Sequence, residues 1–102
     1  MPNVSTSSIH VSPGHSFSLS LEANPSTGYQ WLLSNPLDAN FLEFVSTHYT
    51  PASPLPRIGQ SGQQIFTFQP LRTGVTSIAL KYCRPWDVSD CANVHFYAVT
   101  IA

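Results

Sequence analysis

The most reactive side chains of this 102-residue chain belong to two cysteines, Cys83 and Cys91, and four histidines, His10, His15, His48 and His95. A thiol beside an imidazole makes a nucleophile and its base, and Cys83 or Cys91 with His95 would be the pair to consider. Neither cysteine carries a papain-type signature, and no G-x-S-x-G motif offers a serine instead. The histidines are scattered, without the H-x-x-H or H-E-x-x-H spacing that brings two imidazoles to one zinc ion. Each reads better as a structural or surface histidine. The chain is therefore not read as an enzyme, and neither a metal nor another cofactor is expected.

Chemistry of recognition is concentrated in three other segments. In "NPSTGY", Pro25 fixes its own φ and holds Asn24 extended, while Gly28 permits positive φ as the chain turns towards Tyr29. Between them Ser26 and Thr27 are small, uncharged and hydroxyl-bearing. Such a tip can enter a narrow site without carrying a charge that must be desolvated, although the same residues also make an ordinary turn. In "TPASPLPRIGQSG", Pro51, Pro54 and Pro56 favour an extended approach to Gly59, Gln60, Ser61 and Gly62. Glycines there leave backbone groups open for another chain to pair with; a long flexible hairpin is the plainer alternative. In "CRPWDVSDC", Arg84 and Pro85 lead into Trp86, with Asp87 and Asp90 behind. An indole buries about 150–250 Å², worth several kcal/mol at ~25 cal/mol/Å². Trp86 thus either folds over the end of the domain or anchors an interface, where Trp and Arg are enriched. Cys83 and Cys91 bracket this segment, either as a disulfide or as two thiols.

The elements that must position these segments are strands. β-branched and aromatic residues recur in short runs separated by Pro, Gly, Asn and Ser, and no amphipathic helix of useful length is present. The runs are 7–11, 16–22, 29–33, 41–49, 63–69, 75–82 and 93–101. In the second, Phe17, Leu19 and Leu21 face one way and Ser16, Ser18 and Ser20 the other. Ile78, Leu80 and Tyr82 repeat that alternation, while 93–101 is apolar at both parities, as in a strand that is central or covered on both sides. Seven short strands in one chain of ~100 residues fit an all-β, immunoglobulin-like sandwich of two sheets better than a barrel, although spacing alone does not exclude the barrel. Trp31 is placed in its core, and the inter-sheet disulfide of antibody domains is absent. With successive strands antiparallel, the three segments emerge together at one end.

Composition narrows the partners. Charged residues make up 9 % of the chain and apolar ones 42 %, with a formal net charge of -1. No basic patch invites nucleic acid, and no segment approaches the ~20 apolar residues of a membrane span. The opening "MPNVSTSSIH" does not read as a secretory signal, and residues 1–7 are expected to be poorly ordered. Two cysteines are too few for a disulfide scaffold, which points to the cytoplasm; the sequon Asn3-Val4-Ser5 is too short a pattern to change this. One domain spanning 1–102, monomeric when free, is expected.

"NPSTGY", "GQSG" and "RPW", in that order on three loops at one end, resemble the motifs of the chagasin family of cysteine-peptidase inhibitors. The resemblance covers roughly Ser16 to Ile101, against a family pattern of N-P-T-T-G-Y/F, G-x-G-G and R-P-W/F. It implies an immunoglobulin-like fold and reversible, tight inhibition of papain-like peptidases of the cathepsin L or B type. By the same resemblance, Asn24 to Tyr29 enter the catalytic centre, with Ser26 and Thr27 beside the enzyme's cysteine and histidine. Gly59 to Gly62 run along the unprimed cleft, and Arg84, Pro85 and Trp86 lie on the primed side. Two residues depart from the pattern. Ser26 replaces the first threonine, removing a methyl group, and Ser61 replaces a glycine where close backbone approach is implied. The competing reading is an immunoglobulin-like adhesion or carbohydrate-binding module that uses Trp86 and Tyr49.

Overall fold

Residues 3–51 and 61–102 are described by the computed structural model, apart from the side chains of Val88 and Asp90. They form seven strands, β1 (Asn3–Val11), β2 (Phe17–Ala23), β3 (Gln30–Leu33), β4 (Leu42–Pro51), β5 (Gly62–Pro70), β6 (Gly74–Arg84) and β7 (Asp87–Ile101), with a single 3-10 turn at Pro25–Thr27. One sheet has the order β1-β7-β6-β3 and the other β2-β5-β4. This is the all-β, two-sheet sandwich that the alternating pattern predicts.

The alternation of β2 decides which face is buried. Leu19, Leu21 and Ala23 are buried while Ser18, Ser20 and Glu22 are exposed. Beside them in the same sheet are Phe66 and Phe68 of β5, and across the sandwich Trp31, Ile78, Leu80, Tyr97, Val99 and Ile101, which close one core between the sheets. Trp31 is in that core as expected, 7 % exposed, with its indole N–H donating to the Glu22 carbonyl at 3.0 Å. β7 lies between β1 and β6. Central placement therefore explains its double apolarity, since Phe96 on its outer side is 43 % exposed.

Two strands differ from the expected bounds. Asn3 to Ser7, expected to lack order, pair in parallel with Asn93 to Tyr97 as the first half of β1. The ladder, which Ser and Thr side chains do not obstruct, supplies an order that local composition does not reveal. β7 begins at Asp87, six residues before the apolar run, because the hairpin after Arg84 is tight: Arg84 pairs with Asp87 and Cys83 with Cys91. The cysteines form a disulfide, with Cα atoms 4.2 Å apart, inside one sheet and not between the two.

Candidate functional site

Register places the segments of interest together. Ala23 at the end of β2 and Pro51 at the end of β4 both pair with Gly62 at the start of β5. In the other sheet, Gln30 at the start of β3 pairs with Cys83 near the end of β6. The connections β2-β3, β4-β5 and β6-β7 thus leave the sandwich at the same end. Of the β4-β5 connection, residues 52–60, including Gly59 and Gln60, lie outside the described residues.

The β2-β3 tip is held by hydrogen bonds gathered on Asn24. Its Oδ1 accepts from the Ser26 backbone N–H at 3.2 Å and from the Ser26 hydroxyl at 2.6 Å. Its carbonyl accepts from the Thr27 N–H at 3.2 Å and from the Thr27 hydroxyl at 2.8 Å. Pro25 occupies the first turn, where a missing N–H costs nothing, and its carbonyl accepts from Gly28 N–H at 3.0 Å. Gly28 closes the turn at φ 85°, a conformation that only glycine adopts without strain. The turn is anchored at its base, where the Tyr82 hydroxyl accepts from the Asn24 N–H at 2.9 Å. Pro25, Ser26 and Thr27 are all exposed.

The β6-β7 hairpin leans on this tip. Trp86 is 74 % exposed, yet a Cβ on Gly28 would stand 2.9 Å from its Cη2. The indole thus touches the neighbouring loop with one edge and leaves the rest to solvent. Arg84 lies over the ring of Tyr29, 4.7 Å from its centroid, and Tyr29 stacks in turn on Tyr82 at 5.3 Å. Tyr82 meets Trp31 at 5.1 Å, so an aromatic series runs from the half-buried arginine into the core. Pro85 is exposed between Arg84 and Trp86.

Gly62 is less open than a glycine-bearing loop predicts. It is buried, and any side chain there would collide with the Thr50 carbonyl and the Tyr49 hydroxyl. Packing within the sheet by itself requires a glycine here. Ser61 beside it is half-buried.

Two residues that sequence reasoning did not single out hold this end together. The Gln64 side chain crosses between the sheets: its Oε1 accepts from the Trp31 N–H at 2.8 Å and its Nε2 donates to the Trp31 carbonyl at 3.0 Å. Nothing in a "QQIF" strand signals that role. Tyr82 was legible as an inward residue of its strand, but not as the partner of Asn24.

On the flank between β1, β2 and β7, an open cleft of about 650 Å³ is lined by Glu22, Asn24, Ser61, Tyr82 and His95 among others. Within it the His95 ring stacks on Tyr97 at 4.2 Å and its Nε2 lies 2.9 Å from the Ser7 hydroxyl. Burial lowers the pKa of His95 and raises that of Tyr97. Among the described residues, no three His, Cys, Asp or Glu side chains gather as a metal site would need, and no helix is long and apolar enough to cross a membrane.

The family profile described as chagasin family peptidase inhibitor matches residues 10–101. The chain belongs to the chagasin family. Amoebiasin-2 of Entamoeba histolytica is 33 % identical to it over 79 residues, covering 78 % of this chain and 63 % of the relative. The chain thus spans less than two thirds of that relative's length. Among solved structures, the cysteine protease inhibitor EhICP2 from Entamoeba histolytica superposes with a TM-score of 0.76 at 25 % identity, covering 98 % of this chain and 95 % of that one. PbICP-C, solved in complex with falcipain-2, gives a TM-score of 0.72 at 20 % identity, covering 99 % and 91 %. Chagasin-family membership makes the chain a relative of inhibitors and not of enzymes.

Proposed function

We propose that this chagasin-family protein is a reversible, tight-binding inhibitor of papain-like cysteine peptidases, of the cathepsin L or B type, which it blocks by filling the active-site cleft. The observation that carries this reading is the joining of two loops from different sheet connections: Trp86 against Gly28 and Arg84 over Tyr29. Together they make a narrow edge with an exposed turn at its crest and an exposed indole on its flank. The complex of PbICP-C with falcipain-2 supports the same use of the fold.

Physically the assembly acts as a wedge. Its turn is already hydrogen-bonded, so little conformational entropy is lost on docking. Ser26 and Thr27 meet the catalytic centre, Arg84, Pro85 and Trp86 lie on the primed side, and Gly59 to Ser61 lie on the unprimed side, with Gly62 positioning them from within the sheet. The enzyme's thiolate finds a closed turn where a substrate offers an extended carbonyl, so no bond is presented for attack. Titration into papain with a fluorogenic peptide substrate, with trypsin as control, tests the reading. Stoichiometric, reversible loss of papain activity alone, with the inhibitor recovered uncleaved, is expected. Full papain activity at micromolar folded protein would refute it.

A further inference from the structure

The crest of the wedge has an unusual hydrogen-bonding character. From Pro25 to Gly28 every donor is engaged inside the turn. The N–H groups of Ser26, Thr27 and Gly28 are bonded to Asn24 Oδ1, Asn24 O and Pro25 O, and both hydroxyl hydrogens are directed to Asn24. Pro25 has no N–H. The polar atoms that remain, the carbonyls of Ser26 and Thr27 and the oxygens of their two hydroxyls, can only accept, and the Thr27 hydroxyl already accepts from the Tyr29 N–H at 3.4 Å. The crest is an acceptor surface without a donor.

A papain-like centre holds a thiolate, which is an acceptor, and an imidazolium, which is a donor at both nitrogens. Oxyanion-hole groups beside them are donors as well. A donor-free crest cannot satisfy the sulfur, and oxygen pairs held against it are unfavourable. The imidazolium is its complement, through charge-assisted bonds roughly twice as strong as neutral ones. Resting on the inhibitory reading above, we infer that the crest recognises the peptidase through its protonated catalytic histidine and oxyanion-hole donors, and that the thiolate contributes only by keeping that histidine charged.

The ionisable groups around the crest come from several elements. Tyr29 precedes β3, Tyr82 and Arg84 stand on β6 and Asp87 on β7, Glu22 on β2, and His48 and Tyr49 line the cavity of about 270 Å³ beside Pro25 and Gly28. His48, and His95 of β7, which lines the cleft beside Asn24, are of the type that ordinarily changes charge near neutral pH, so the variants His48→Gln and His95→Gln are the controls.

The test measures the dissociation constant of the intact chain for a papain-like peptidase and for the same enzyme with its catalytic Cys→Ala, from pH 5 to pH 9. Without its thiolate the enzyme's histidine returns towards the ordinary ~6.5, whereas in the ion pair it stays protonated to higher pH. At the acid end the two enzymes should bind within about threefold of each other. As pH rises past ~6.5 the Cys→Ala enzyme should lose affinity by about tenfold or more before the wild type does, identically for His48→Gln and His95→Gln. Loss of binding by the Cys→Ala enzyme at acid pH would overturn the inference, as would coincident pH profiles for the two enzymes, while leaving inhibition itself intact. No binding to either enzyme at any pH would overturn both readings together.

Discussion

The indole of Trp86 lies over Gly28, so close that a methyl group on the glycine would stand 2.9 Å from Cη2. The residue that lets the β2-β3 turn close is thus also the seat of the exposed tryptophan on the adjoining hairpin. Gly28→Ala should both strain the turn, at φ 85°, and displace the indole. We expect a cost of about 1–3 kcal/mol and a rise of tenfold or more in the papain inhibition constant. Unchanged inhibition in the folded variant would show that the two loops act separately.

The two tryptophans should respond oppositely. Trp86→Ala removes a side chain that is 74 % exposed, so folding should persist while inhibition weakens about tenfold or more. Trp31→Ala empties the core and should cost about 3–5 kcal/mol. Urea denaturation and inhibition assays on both variants separate the two effects; a stable Trp31→Ala protein would contradict the core assignment.

Gln64 replaces a missing strand pairing between the sheets with its own amide. Gln64→Met keeps the bulk but leaves the N–H and C=O of Trp31 unpaired. The expected loss is about 2–4 kcal/mol, read from the urea midpoint. A shift too small to measure would mean that water takes the place of the amide.

The disulfide bridges a separation of 8 residues and clamps the hairpin where its regular pairing is interrupted. Replacing Cys83 and Cys91 together by alanine should cost about 2.5 kcal/mol and weaken inhibition further by releasing Arg84 and Trp86. Equal potency in both forms would assign the bridge to stability alone.

His95 sets a pH trend. Burial lowers its pKa below the ordinary 6.5, so between the folded and unfolded values the unfolded chain binds more protons and stability rises with pH. Below that window the deficit is complete; above 6.5 it is gone. The urea midpoint should therefore rise from pH 5 to pH 7.5, and rise less in His95→Gln. An equal rise in both proteins would attribute the trend to other groups.

The fold was legible where burial is local. Alternation in β2 and β6 assigned the inner face residue by residue, and the order of the Pro, Gly and Trp-bearing segments placed three loops at one end. What was not legible depends on partners distant in sequence. The Ser/Thr-rich stretch before Ser8 has no inner face of its own, so only its ladder with β7 reveals it as a strand. Gly62 resembled an exposed contact because a glycine required by Tyr49 and Thr50 looks in sequence like one left open for a partner. Gln64 and the donor-free crest depend on where side-chain amides and hydroxyls point, which no residue pattern specifies.

The parallel pairing of β1 with β7 has a practical consequence. Because Asn3 sits beside Asn93, close to Tyr82 at the loop-bearing end, while Ile101 sits beside Val11 at the other, the first described residue emerges next to the wedge and Ala102 far from it. A purification tag, fluorophore or surface tether joined ahead of Asn3 would crowd the peptidase. The same group attached after Ala102 would leave the approach clear, which makes that end of the sandwich the place to immobilise the domain.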